Sequence, residues 1–160
     1  MDLYQLKYRI IKPTLQNANL YSDTAVNLVL GTFIAESNCE LIEQVINYNP
    51  MVFGPALGFG QMEPFTHDDC WNNFLKYKPD LADLIKGLCN IIKQDSNLLK
   101  TNINYMVLMT RIKYLRAKQT LPKANDALAL ATYHKVNYNS LLGKADISAN
   151  IQKFQKAIGV

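Results

Sequence analysis

Hydrophobic residues recur along this chain mostly at intervals of three and four, which is the spacing of one helix face. The few short runs of β-branched residues lack the turns that would join them into hairpins. The pattern therefore predicts an all-α fold. The 160 residues lie within the usual size of one domain and contain no linker or repeat, so we expect a single domain over residues 1–160.

Capping residues and helix breakers locate the individual helices. Ser22 or Asp23 should cap a strongly apolar helix that runs to about Glu36, and Lys12-Pro13-Thr14 should end a short helix before it. Thr66 should cap a helix through Trp71. Further helices are expected over residues 79–92, 98–118, 127–135 and 148–157, with a turn at Tyr138-Asn139-Ser140 and Gly143.

Between Glu40 and Gln61 the helical spacing stops. This segment contains three of the seven glycines and two of the six prolines of the chain. Both residue types favour tight bends in the backbone. We therefore expect a structured loop here.

Glu36 is a candidate catalytic acid because it lies on the hydrophobic face of its helix. It follows Phe33 by three residues and Thr32 by four. A carboxyl group there is partly desolvated, which favours its protonated form and hence proton donation to a leaving oxygen. The alternative is that Glu36 lies just past the helix end and points into solvent.

Glu63 is a second acidic candidate, directly after the glycine-rich segment and before Pro64. Two carboxyl groups that face each other across a cleft are the usual arrangement in glycosidases. The alternative for Glu63 is a favourable charge near a helix N-terminus.

Three motifs follow one another along the chain: Glu36-Ser37-Asn38, the turn ALGFGQMEP over residues 56–64, and ALALATY over residues 127–133. They resemble the E-S motif, the A-x-G-L-M-Q-x-x-P turn and the A-L-A-A-Y-N-A-G segment of the goose-type lysozyme and soluble lytic transglycosylase superfamily. The resemblance extends over residues 22–140. It implies a lysozyme-like domain of about six to eight helices with a glycine-rich active-site loop.

The resemblance also implies roles for individual residues. Glu36 would be the acid, and Tyr133 would be the phenol that hydrogen-bonds its carboxyl group. Substrate-binding residues are expected around the turn: Ser37, Gly58, Phe59, Gln61 and Met62. Goose-type lysozymes carry Q-V-D in this turn and a His four residues after the Asp, and the spacing of Gln61-Met62-Glu63 and His67 is similar. That similarity makes Glu63 a candidate base and His67 a candidate substrate contact.

The activity implied by the resemblance is cleavage of peptidoglycan glycan strands between N-acetylmuramic acid and N-acetylglucosamine. The reaction could end in hydrolysis, with Glu63 activating water, or in lytic transglycosylation with a 1,6-anhydro product. His134-Lys135-Val136 departs from the N-A-G of the transglycosylases, so the cleft floor should differ. This departure motivates the alternative of an inactive wall-binding or virion structural module with the same fold.

The chain is also similar to small lysozyme-like proteins of tailed bacteriophages. That similarity implies synthesis in the host bacterial cytoplasm, action on the cell wall, and virion components as partners. No signal peptide is expected, and no stretch approaches the ~18 uninterrupted apolar residues of a membrane span.

The net charge of +4, from 17 Lys and Arg against 13 Asp and Glu, favours anionic partners. A basic cluster at the end of the helix over residues 98–118 could suit nucleic acid, but a solvated helix face explains it better, so no nucleic acid is expected. The cluster comprises Arg111, Lys113, Arg116 and Lys118.

Three cysteines, Cys39, Cys70 and Cys89, form an odd number without a CxxC pair, and we expect reduced thiols. The two histidines, His67 and His134, are distant in sequence and have no metal-site spacing. The sequence therefore predicts neither a metal nor an organic cofactor.

Overall fold

The computed structural model describes residues 1–139 and 146–160, which are mostly helical with one two-stranded sheet. The helices are α1 (Leu3–Gln5), α2 (Lys12–Asn17), α3 (Asp23–Ser37), α4 (Pro64–Asn73), α5 (Pro79–Cys89), α6 (Leu98–Thr101), α7 (Ile103–Leu115), α8 (Ala127–Asn137) and α9 (Ile147–Gly159). A π-helical segment, Leu6–Ile11, joins α1 to α2, and a 3-10 segment, Leu75–Tyr77, follows α4. The strands are β1 (Glu43–Tyr48) and β2 (Met51–Leu57). The turn expected at residues 138–143 is described only as far as Asn139, so Ser140 and Gly143 lie outside the described residues.

Helix α3 runs through the hydrophobic core and has the predicted start. The Ser22 hydroxyl accepts a hydrogen bond from the Ala25 N–H at 3.0 Å, which satisfies one of the free N–H groups of the first turn. The helix ends at Ser37 because Asn38 adopts the left-handed conformation. Glu36 therefore lies in the last turn.

Helix α9 packs against α3 and α8. The ring of Phe154 lies over Gly31 of α3, where an added Cβ would come within 2.2 Å of two ring carbons. This close approach needs glycine. Farther along, the Lys153 ammonium donates to the Ala35 carbonyl at 3.0 Å, in the last turn of α3.

Residues 43–57 form an antiparallel hairpin, so the expectation of a loop there is wrong. Strand β1 pairs with β2 from Glu43 opposite Leu57 to Tyr48 opposite Met51. Two register shifts interrupt the pairing, and side chains therefore do not alternate regularly between the two faces. That irregularity hides the strands from an analysis of sequence periodicity.

Some predicted helix boundaries are also wrong. The helix expected over residues 98–118 is divided into α6 and α7, because Asn102 is extended and its side chain accepts the Tyr105 N–H at 3.1 Å as the N-cap of α7. Pro13 does not end the first helix. It lies in the first turn of α2, after the wide π-helical turns, where a proline is tolerated because no N–H is needed.

Candidate active site

Glu36 lies one residue before the end of α3, at the edge of the core. Its side chain is 18% exposed. This value favours the partly desolvated carboxyl group expected from the helix periodicity over a carboxyl group that points into solvent.

Two side chains at the end of α8 contact the carboxyl group of Glu36. The Asn139 amide donates to Glu36 Oε1 at 3.0 Å, and His134 Nε2 lies 3.0 Å from the same oxygen. His134 is completely buried. Within the described residues, no hydrogen bond ends on Glu36 Oε2. The carboxyl group is therefore held through one oxygen, while the other has no partner in that part of the chain.

A series of buried hydroxyl groups continues from His134 into the core. His134 Nδ1 lies 2.8 Å from the Tyr114 hydroxyl, which lies 2.6 Å from Thr32 Oγ1. Thr32 Oγ1 donates to the Leu28 carbonyl, one turn earlier in α3, at 2.8 Å. Burial raises the pKa of Tyr114 well above its ordinary value, so this phenol keeps its proton.

The glycine-rich turn is attached to both elements that contribute to the Glu36 environment. The Ser37 hydroxyl, from α3, donates to the Phe59 carbonyl at 2.8 Å. The Tyr138 hydroxyl, from the end of α8, donates to the Gly60 carbonyl at 2.8 Å. A Cβ at Gly60 would come within 2.6 Å of that hydroxyl oxygen, so this approach depends on glycine.

The turn residues expected to bind substrate fall into two groups. Gly58 (φ 70°) and Gln61 (φ 46°) have left-handed backbones, and the Gln61 side chain donates to the Gly58 carbonyl at 2.9 Å. Gln61 therefore shapes the turn. The side chains of Phe59 and Met62 are in the core, at 7% and 2% exposure, so these two residues can contact a substrate only through the backbone.

Tyr133 does not form the expected hydrogen bond to Glu36. Its hydroxyl donates to the Gln119 carbonyl at 3.1 Å. Because an α-helix turns by about 100° per residue, the next side chain, His134, faces Glu36 instead. The sequence carried one signal for this: His134 follows Leu130 by four residues, on the buried face of α8.

His67 is completely buried, so the expectation that it contacts substrate is wrong as well. Its Nε2 lies 2.6 Å from the Tyr105 hydroxyl, which also accepts a hydrogen bond from Trp71 Nε1 at 2.9 Å. Its Nδ1 lies 2.8 Å from Asp68 Oδ1. This cluster connects α4 to α7 inside the core.

Glu63 is exposed and occupies the N-cap position of α4, where Thr66 was expected. Burial lowers the pKa of Lys113 on α7. The carboxyl groups of Glu36 and Glu63 are among the groups whose charge raises that pKa and so partly offsets the effect of burial. The Lys113 ammonium donates to the Tyr138 carbonyl at 2.5 Å. Glu36 and Glu63 therefore both lie within electrostatic range of one partly buried cation.

Glu36 lines an open groove of about 600 Å³. This volume is within the usual range for small-molecule sites. Its walls come from the end of α3 with the segment after it, from Tyr48 of β1, and from α9, which contributes Lys153 and Lys156.

The basic residues of α7 are mostly engaged within the protein, in contrast to the expected solvated face. Arg111 is buried, and its Nε donates to the Leu20 carbonyl at 3.5 Å. Arg116 forms an ion pair with Asp69 at 2.5 Å. With Lys113 also bonded, this part of α7 does not present a row of free cations for a nucleic-acid backbone.

Comparisons of this chain with family models, with curated proteins and with solved structures found no match. Across residues 1–139 and 146–160, no cluster of three or more His, Cys, Asp or Glu side chains could hold a metal ion. None of the helices in those ranges is both long and apolar enough to cross a membrane. Cys39, Cys70 and Cys89 are buried free thiols.

Proposed function

We propose that this protein has a lysozyme-like fold and cleaves the glycan strands of bacterial peptidoglycan, with Glu36 as the general acid. The observation that carries the proposal is a carboxyl group that is 18% exposed, held through one oxygen, and in the wall of a groove of about 600 Å³. A protonated carboxyl group in this position can donate to the glycosidic oxygen between N-acetylmuramic acid and N-acetylglucosamine while an oxocarbenium-like sugar develops.

Two further features support this assignment. Ser37, next to Glu36, is bonded to the glycine-rich turn, so the two motifs of the superfamily resemblance are in contact. The segment that departs from the resemblance, His134-Lys135-Val136, contributes a side chain to Glu36. The sequence difference that motivated the alternative of an inactive module therefore supplies a contact to Glu36, in place of the contact expected from Tyr133.

The end of the reaction depends on Glu63. If its exposed carboxylate holds a water molecule opposite Glu36, the product is hydrolysed, and if it does not, the sugar closes on itself to a 1,6-anhydro end. The two products differ in mass by one water molecule. Mass spectrometry of digested peptidoglycan from the wild type and from Glu63→Gln distinguishes these endings.

The central experiment is digestion of purified peptidoglycan by the wild type and by Glu36→Gln. General acid catalysis contributes about 100-fold or more, so we expect Glu36→Gln to lose at least that factor in product release. The matched control is Asp83→Asn on α5, whose side chain is 77% exposed and pairs with Lys86. It makes the same loss of charge away from the groove and should digest at the wild-type rate.

Two results would contradict the proposal. Undiminished product release by Glu36→Gln would remove Glu36 as the acid. If the wild type binds insoluble peptidoglycan but releases no product, the protein is a wall-binding or virion structural module and not an enzyme.

A further inference from the structure

The hydrogen bonds behind Glu36 have a direction that can be worked out from their buried end. Thr32 has one hydroxyl hydrogen, and the Leu28 carbonyl accepts it at 2.8 Å. The 2.6 Å contact between Thr32 Oγ1 and the Tyr114 hydroxyl can run in either direction, and donation from Thr32 to Leu28 requires that Tyr114 be the donor in it. The hydrogen of Tyr114 is therefore directed at Thr32.

The same arrangement implies one tautomer of His134. Because the only hydroxyl hydrogen of Tyr114 is already used, its oxygen must accept in the 2.8 Å contact with His134 Nδ1. Nδ1 therefore carries a hydrogen. In a neutral imidazole the other nitrogen, Nε2, then has only a lone pair.

The Nε2 lone pair lies 3.0 Å from Glu36 Oε1 and 3.4 Å from the Asn139 amide nitrogen, whose nearer acceptor is Oε1 at 3.0 Å. An ionised carboxylate would place a second lone pair there, and the two would repel. We infer that Glu36 and His134 hold one shared proton between Oε1 and Nε2, and that the hydrogen-bonded chain through Tyr114 to Thr32 keeps it there. The pair exists either as a carboxylic acid with a neutral imidazole or as a carboxylate with an imidazolium.

This inference rests on the proposed function for its catalytic meaning. The proton passes to the glycosidic oxygen as the bond from that oxygen to the sugar carbon breaks, so the leaving group departs as an alcohol. Glu36 is left as a carboxylate and His134 as a neutral imidazole with its hydrogen on Nδ1. Water, or the sugar's own hydroxyl group in the 1,6-anhydro ending, then bonds to that sugar carbon, and the proton that it releases restores the pair. His134 is completely buried, so it acts on substrate through Glu36 as a positioning residue.

Sharing the proton extends the pH range over which the acid is loaded. Two coupled sites lose their protons as a pair, and removal of the shared proton brings the two lone pairs into contact. The other charged and titratable groups near the pair come from several elements. Among residues 1–139 and 146–160 they are Glu40 after α3, Glu63 before α4, Lys113 and Tyr114 of α7, Tyr138 after α8, and Lys153 and Lys156 of α9.

Two of those groups are phenols that burial keeps neutral, because it raises the pKa values of Tyr114 and Tyr138 well above the ordinary value. A protonation change near neutral pH that is sensitive to Tyr114 therefore reports on the Glu36–His134 pair.

NMR of the histidine ring nitrogens tests the inference without any enzyme activity. The chain has two histidines, and His67 serves as the internal reference for a folded core. We expect wild-type His134 to carry a hydrogen on Nδ1, with its Nε2 signal shifted by the shared proton. In Glu36→Gln that shift of the Nε2 signal should disappear while Nδ1 stays protonated.

Tyr114→Phe removes the nearer of the two acceptors for Nδ1, at 2.8 Å, and leaves Thr32 Oγ1 at 3.4 Å. We expect His134 to change to the tautomer with hydrogen on Nε2, which donates to a Glu36 carboxylate. Tyr133→Phe is the matched control. Its ring centroid lies 5.8 Å from that of Tyr114, but its hydroxyl bonds Gln119, so the His134 signals should not move. Unchanged His67 signals in both variants would establish that each variant is folded.

The pH profile of peptidoglycan digestion supplies the catalytic test. We expect the alkaline limb of Tyr114→Phe to move to lower pH by about one unit or more relative to Tyr133→Phe. A wild-type His134 with a bare Nδ1 would overturn the inference, and so would an unchanged alkaline limb after the tautomer has changed. The expected spectra from a protein that digests nothing would uphold the shared proton and reject the proposed function.

Discussion

Replacing Gly31 with alanine tests the packing that brings α9 against α3. The added Cβ would lie 2.2 Å from two ring carbons of Phe154, whereas carbon atoms in contact are about 3.5–4.0 Å apart. The ring or the helix must therefore move by more than about 1 Å. Phe154 is completely buried and packs against the His134 ring at a centroid distance of 5.5 Å, so it has no free space to enter.

Overpacking of this kind costs about 1–3 kcal/mol, while alanine recovers up to about 1 kcal/mol of helix propensity. We expect Gly31→Ala to lower the free energy of unfolding by roughly 1–2 kcal/mol. For a chain of this size, that corresponds to a fall in Tm of several degrees, about 2–4 °C per kcal/mol.

The matched control is Gly87→Ala in α5, where the residue is exposed and an added Cβ meets nothing within 4 Å. It should raise the free energy of unfolding by about 0.5–1 kcal/mol. Urea unfolding followed by the fluorescence of the single tryptophan, Trp71, measures both variants. Adding Phe154→Leu to Gly31→Ala should return part of the loss, and a Gly31→Ala protein as stable as Gly87→Ala would refute the packing argument.

Three further predictions concern stability and thiol chemistry. Tyr105→Phe leaves Trp71 Nε1 and His67 Nε2 buried without their hydrogen-bond partner. Urea unfolding should therefore show a free energy of unfolding that is lower by about 1–3 kcal/mol. A Tyr105→Phe protein as stable as the wild type would contradict this role. Burial raises the pKa of Cys39 and Cys89 from 9.0 to about 11, so a thiol reagent should modify them at about pH 8 only after unfolding. These thiols have a higher pKa in the folded protein than in the unfolded chain. Their contribution to the free energy of unfolding is therefore fully present below pH 9.0 and decreases as the pH rises toward about 11. Unfolding curves measured across that pH range should show this decrease.

The sequence predicted those parts of the fold that depend on local signals. Helices α3 and α8 begin where Ser22 and Asp126 can cap them, and both caps are present. The hairpin was not predictable in the same way. Its register shifts break the alternation that identifies a strand, and its pairing connects positions that no local pattern relates.

The candidate site shows the same division between local and distant information. The position of Glu36 on a buried helix face follows from intervals of three and four residues. Its contact with Asn139 joins positions separated by 103 residues and depends on how α8 packs. The same packing decides whether Tyr133 or His134 faces the acid, which the sequence resemblance could not determine.

Three contacts at the end of α8 come from residues that lie within six positions of one another. His134 and Asn139 contact the acid, and Tyr138 holds the carbonyl of Gly60. Because a helix turns by about 100° per residue, inserting or deleting a single residue between Asp126 and His134 would rotate all three side chains away from the atoms that they contact. A substitution in this helix changes one contact at a time, whereas a change in its length disrupts all three, so insertions should be tolerated only beyond its ends.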